Sequence, residues 1–311
     1  MIITLTPPLM KIRPFAYPLI CVMLLELASH LDGAVKSLRF QIPTGPLAQS
    51  IRVAIPMVSA MVGLICVNSV FVLFESLEDD RGGKPHNRFK TYASGFGFWL
   101  LYFFASAPAS FFTWKIAENL HLRPLVQPEW FGPVKILHMI FYIFVFDFFY
   151  YWFHRASHMS LTLWRFHSVH HALRKVNSWN SFHHWTEEYL RIFFVSVPTA
   201  AIVEPSADSI PFVSAMLSAW GQYLHTSARS LSLPGSIRRF VADNVYHHYH
   251  HSIYREHYNT NYAAFFPFWD WLFRSQYVPP DNSLPPTGIE DVQDIKGPLD
   301  YVLRPFKMRQ T

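Results

Sequence analysis

Long charge-free runs set the first division of the chain. Val53–Phe74 extends for 22 residues and Thr91–Trp114 for 24 without a charged side chain. At 1.5 Å rise per residue, about 20 residues cross the hydrocarbon core, so both runs predict spanning helices. Pro56 and Pro108 fall inside them, which is tolerable because neighbouring helices can satisfy a freed carbonyl. Pro14–Leu31, with Glu26 as its one acid, and Ile136–Phe153, interrupted by His138 and Asp147, predict two more spans. The first of these has a second reading as a signal peptide, with Lys11 and Arg13 ahead of the apolar run and Ala28-Ser29-His30 as a poor cleavage site. Shorter apolar runs at Ile192–Val203 and Ile210–Leu224 predict a re-entrant hairpin or buried core helices. No segment alternates with the period of a strand. The expected fold class is therefore an all-α integral membrane protein of about four transmembrane helices carrying a cytosolic helical cap.

Charge gives an orientation. With Lys11 and Arg13 inside, four spans place the loop Glu75–Lys90 on the cytoplasmic side, where Arg81, Lys84, Arg88 and Lys90 fit the positive-inside rule. Everything after the fourth span then lies in the cytoplasm, including Arg155, Arg165, Arg174, Lys175, Arg238 and Arg239. Val278–Thr311 is rich in proline and charge and predicts a surface tail. The expected division is residues 1–130 as membrane helices and loops, 131–275 as a catalytic domain and 276–311 as the tail.

Composition agrees with a membrane setting. Charged residues are only 15% of the chain and aromatics 17%, whereas soluble domains carry about a quarter charged residues. The net charge of +5 is scattered rather than gathered on one face, which argues against nucleic-acid binding and suits anionic lipid headgroups. Two cysteines, Cys21 and Cys66, make neither a zinc ribbon nor a disulfide framework.

Histidine placement changes the picture most. Thirteen of the seventeen histidines lie between His154 and His257. His154 and His158 are four apart, so one helix face presents both rings. In His167-Ser-Val-His170-His171 the outer pair shares a face while His170 is turned by about 100° from His171, a fork able to feed two metals. His247-His248-Tyr-His250-His251 repeats the fork, and His183 and His225 lie between. Asp147, seven before His154, and Glu187, four after His183, are candidates to accept a ring N–H and fix a tautomer; pairing with Arg155 or Arg191 is the other reading for each. His30, His86, His121 and His138 read as ordinary histidines, while His184, His248 and His257 sit beside candidates without completing the spacing.

Burying eight or nine imidazoles without metal would leave polar nitrogens unsatisfied. The number exceeds the four ligands of a structural zinc and suits two metals. Imidazole alone does not select among zinc, copper, iron and nickel. A membrane location and an apolar surround favour dioxygen chemistry on a lipid. The alternatives are a histidine-rich metal transporter, which predicts ligands near the midplane of spanning helices, and a zinc-dependent membrane hydrolase with Glu187 as base. The chain has no dinucleotide fingerprint (Gly95-Phe-Gly97 lies in an apolar run), no haem motif and no cysteine set for an iron–sulfur cluster. An external electron donor is implied, and Arg238 and Arg239 are candidates to dock an acidic one.

The order HxxxH, HxxHH, HxxHH after a spanning helix resembles the fatty acid hydroxylase / sterol desaturase superfamily. Trp164-Arg165-Phe166-His167, Asn261-Tyr262 and Phe268-Trp269-Asp270-Trp271-Leu272-Phe273 add to the likeness, which covers residues 131–275. The resemblance implies two iron ions held by His154, His158, His167, His170, His171, His247, His250 and His251, with zinc a possible substitute in purified protein. His225 matches a further family histidine, and His183 one found in a subset. It also implies O2-dependent hydroxylation or desaturation of a C–H bond in a sterol, fatty acyl chain, sphingoid base, carotenoid or alkyl glycerol, with electrons from a ferredoxin or small cytochrome and its reductase. The enzyme would sit in a bacterial inner membrane or endoplasmic reticulum with the metals on the cytoplasmic side. Ala263 and Arg274-Ser275 depart from the family's common Gly and Gly-Thr, which puts the subfamily rather than the chemistry in doubt.

Overall fold

The computed structural model describes residues 46–79, 88–120, 123–132, 135–204, 210–290 and 292–307. The predicted segment Pro14–Leu31, its signal-peptide alternative, and most of the basic loop after residue 79 lie outside these residues. The described residues are helical and contain no strand, only two isolated bridges.

Three long helices come first: α1 (Pro46–Asp79), α2 (Arg88–Asn119) and α3 (Lys135–Met159). The windows Met61–Glu78 and Ile136–Met159 are long and apolar enough to cross a membrane. The apolar run Thr91–Trp114 is helical within α2. Sequence reading put Glu75 and Glu78 in a loop, but α1 continues through both. Their carboxylates explain the extension. Glu75 is buried and accepts from the Ser178 and Ser227 amides and the Thr226 hydroxyl at 2.9–3.0 Å. Glu78 accepts from the Arg229 and Ser230 amides.

Shorter helices follow: α4 (Leu161–His171), α5 (Thr186–Arg191), α6 (Val197–Ile202), α7 (Ile210–His225), α8 (Gly235–Arg238), α9 (Asn244–His250), α10 (Phe268–Leu272) and α11 (Pro298–Lys307). A π-turn, Ile192–Ser196, joins α5 to α6, just ahead of Pro198, whose missing N–H removes one ladder bond. Ser160 ends α3 and its hydroxyl caps α4.

Aromatic packing fixes the layers. Trp99 of α2 and Trp179 meet edge to face at 5.4 Å, in a core with Leu64, Phe71 and Tyr223. Gly95 lets α2 approach this closely, since a Cβ there would lie 3.2 Å from the Trp179 backbone and side chain; packing, not phosphate binding, accounts for the glycine. A second cluster joins Phe98, Val169, Phe182 and Tyr301. Tyr301 belongs to the stretch expected as a surface tail. That stretch instead packs back: α11 lies on α4, and the buried Tyr301 hydroxyl donates to the His183 carbonyl at 2.7 Å. Arg174 likewise donates to the Val292 carbonyl.

Candidate metal centre

The histidines converge at the end of α3, on α4, at the end of α7 and on α9. Nitrogens of His154, His158, His167, His171 and His250 form one group, those of His170, His225, His247 and His251 a second, and within each group they lie within 4.8 Å of one another. The forks divide as their helical angles require. His167 and His171 face the first group while His170 turns to the second. On α9 the roles reverse, with His247 and His251 in the second group and His250 in the first.

Ring orientation comes from the outer nitrogens. The Nδ1–H groups of His154 and His250 donate to the carbonyls of Tyr262 (2.6 Å) and Thr260 (2.7 Å). Those of His170 and His225 donate to Phe182 (3.0 Å) and Gly221 (2.6 Å). A carbonyl only accepts, so each of these neutral rings keeps its proton on Nδ1 and turns a bare Nε2 lone pair inward. The Nε2 atoms then sit improbably close for an empty space. His225 Nε2 is 3.1 Å from His170 Nε2, and His154 Nε2 is 3.1 Å from His167 Nε2. His171–His167, His247–His225 and His251–His247 repeat the spacing at 3.1–3.2 Å. Between His170 and His225, whose tautomers are both fixed, the facing lone pairs repel and form no hydrogen bond. The Nε2 atoms of His158 and His250 are buried without a partner.

A shared proton is a poor remedy. Burial, reinforced by the neighbouring rings, holds His167, His170, His171, His247 and His251 well below the usual histidine range. Burial, with smaller contributions from His248 and His250, lowers His225 to about 3, and burial lowers His250 to about 4. A metal ion fits instead. Two imidazole nitrogens at about 2.1 Å from one ion stand about 3 Å apart when they subtend roughly a right angle. The donor set, neutral imidazoles with their far nitrogens tied to backbone carbonyls, is the arrangement metal-ligating histidines adopt.

The other predicted residues divide. Glu187 is buried, and its Oε2 lies 3.0 Å from His167 Nδ1. Desolvation raises its carboxyl to about 8; a cation on His167 Nε2 would draw it back to carboxylate. Arg191 pairs with Glu188 and not with Glu187. His183 stacks on His170 with centroids 3.8 Å apart and forms a third group with His167 and Glu187. His184, His248 and His257 bind Thr186, the Asn244 carbonyl and Ser252, outside all three groups.

Asp147 is a correction. It touches no imidazole and does not pair with Arg155, which donates to Tyr151 and the Phe273 carbonyl. Seven helical residues put it about 10 Å along the axis from His154, too far to reach the ring. Its carboxylate accepts instead from the amides of Ala264, Phe265 and Phe266. Arg238 is a second correction. It is 1% exposed and grips Asp243 through Nε at 2.9 and 3.0 Å; only Arg239 of the pair is exposed and free to meet a partner.

Sequence reading missed the backbone acceptors and the residue that organises two of them. Asp270 is fully buried and accepts from the amides of Tyr262 and Ala263 at 2.8 Å and from Ser275 and Tyr246. A lone acid within an otherwise apolar run was the available signal. Asn261, with φ of +61°, sends its side-chain amide to the Tyr246 carbonyl and receives the Tyr277 amide, which explains the Asn-Tyr pair.

Fold and site together define a helical protein with two candidate membrane spans and a buried, paired histidine centre able to bind metal. Residues 139–275 match the fatty acid hydroxylase family. That match and the relatives below support a place for the segment in the fatty acid hydroxylase / sterol desaturase superfamily. An ornithine lipid hydroxylase from Rhizobium tropici is 26% identical over 157 residues, half of this chain and 46% of that protein. A very-long-chain aldehyde decarbonylase from Oryza sativa subsp. indica is 26% identical over 149 residues, 48% of this chain and 55% of the relative. The human alkylglycerol monooxygenase is 25% identical over 127 residues, 41% of this chain and 28% of its own length. The chain thus spans about half or less of these relatives. No solved structure matches it.

Proposed function

We propose that the chain is a membrane-bound lipid oxygenase in which the two histidine groups hold two iron ions. One observation carries the reading: the tautomer-fixed Nε2 lone pairs of His170 and His225 face one another at 3.1 Å, beside a second buried histidine group with the same close Nε2 spacing. His154, His158, His167, His171 and His250 would hold one ion, and His170, His225, His247 and His251 the other. His183, which groups with His167 and Glu187 and not with the second set, would support the second ion by stacking on His170. The ions would supply the dioxygen activation and one-electron chemistry that an unactivated C–H bond requires. Glu187 holds the His167 Nδ1 proton and keeps that ring aligned. Trp164 packs on His158 and His171, and Tyr150 on His154, so aromatic rings flank the first group and exclude water.

The names of the hydroxylase and the monooxygenase favour oxygen insertion into a lipid over metal transport or hydrolysis. A four-span arrangement would put this centre at the cytoplasmic face, where a ferredoxin or small cytochrome could deliver electrons; Arg239 is the exposed base available to such a donor. The test is incubation of metal-loaded protein in lipid vesicles with isotopically labelled dioxygen and a reducing system, followed by lipid mass spectrometry. Labelled oxygen in one lipid class, absent with His170→Ala, is expected. Metal-loaded protein that consumes no oxygen with any lipid class or donor would count against the proposal.

A further inference from the structure

The segment after the last histidine box runs back alongside α3. Ala263–Phe273 has one charged residue in eleven, Asp270, and that residue is fully buried. Its rings cover one face of α3. Phe144 meets Phe266, Phe268 and Trp269 at 5.4, 6.0 and 4.6 Å, Phe148 meets Trp269 at 4.9 Å, and Trp152 meets Phe273 at 4.7 Å. Those contacts fall eight to sixteen residues into the window Ile136–Met159, or about 12 to 24 Å along it. The segment therefore lies beside the span and not beyond its end.

Its outer side is apolar. Trp271 is 63% exposed, Leu272 46% and Phe268 40%. On α3 itself Ile136, Leu137, Ile140 and Trp152 are likewise exposed apolar side chains. A non-helical stretch at this depth must satisfy its own amides, because hydrocarbon supplies no partner. It does so fully at the approach to α10. Asp270 takes the amides of Tyr262 and Ala263, Asp147 takes those of Ala264, Phe265 and Phe266, and Pro267 has none. Two buried acids inside an apolar region, both turned inward onto backbone donors, are what a lipid-facing segment requires.

We propose that residues 263–273 are a re-entrant element whose Phe268, Trp271 and Leu272 face the acyl chains of the bilayer, next to the histidine centre. The proposal rests on α3 being a membrane span. A short lipid-facing helix there gives an acyl substrate a surface continuous with the bilayer up to the loop that orients His154 and His250.

The test places a nitroxide at Trp271→Cys and, separately, Leu272→Cys in full-length protein lacking Cys21 and Cys66. Ile140→Cys on α3 and the exposed Lys296→Cys serve as controls, all in lipid vesicles with metal content checked. Positions 271 and 272 are expected to collide with dissolved oxygen in preference to a water-soluble nickel chelate, as position 140 does and 296 does not. Should 271 and 272 follow 296 while 140 reads lipid, the re-entrant element is wrong and the span stands. Should 140 also read water, the span itself fails and the proposal with it.

Discussion

The two histidine groups are built from the same boxes but hang from different parts of the chain. The five-histidine group takes its orientation from the 260–266 strap, through the Thr260 and Tyr262 carbonyls, and from Glu187. Asp147 and Asp270 fasten that strap. The four-histidine group leans on the Phe182 and Gly221 carbonyls. Glu75, at the end of α1, anchors the flanking backbone at Ser178, Thr226 and Ser227. Each half of the centre thus has its own buried carboxylate tether, while the halves meet through α4 and α9 and where Trp220 of α7 donates to the Ala264 carbonyl of the strap at 2.8 Å. Metal loading of the two should be separable.

The largest effect is expected when both halves lose a ligand. His170→Ala with His250→Ala should abolish metal binding and any oxygenation, more than the 10–100-fold typical of outer partners; retained metal would break the two-site account. Next come the tethers. Asp270→Asn should lower metal affinity by about 10–100-fold at the five-histidine group and leave the other loaded, so metal content falls toward one per chain. Adding His250→Ala should then change little, whereas adding His225→Ala should remove the rest. Glu75→Gln should behave in the opposite sense. Equal loss at both groups from either tether would erase the distinction.

Smaller effects sharpen it. Glu187→Gln keeps a hydrogen bond to His167 but removes charge, and should weaken the five-histidine group by about 10-fold with the other unchanged. The mildest is acid sensitivity of the metal-free protein. His225 at about 3 and His250 at about 4 stay neutral when folded, against an ordinary 6.5. Below about pH 6.5 the unfolded chain therefore binds more protons, so stability is lost progressively as pH falls toward those values. Melting temperature should drop between about pH 7 and about pH 5, and a flat profile would contradict the buried neutral rings.

Side-chain spacing made the ligand boxes legible before any coordinates, because i, i+3 and i, i+4 relations fix which rings share a face. The same reasoning mistook Asp147. A shared face says nothing about axial distance, and the amides that claim it come from a strap more than a hundred residues on. Backbone acceptors such as Tyr262 and Gly221 carry no residue signature, so the orienting shell was invisible in the sequence. The tail misled for a related reason: proline and charge suggested solvent, but Tyr301 and Arg174 fold it onto α4 and the His183 carbonyl.

The central claim is two metals in two tethered groups, and metal content per chain in mild detergent tests it directly. About two irons per wild-type chain, about one in Asp270→Asn and none in the double histidine variant are expected. One metal or none in the wild-type protein would contradict the account.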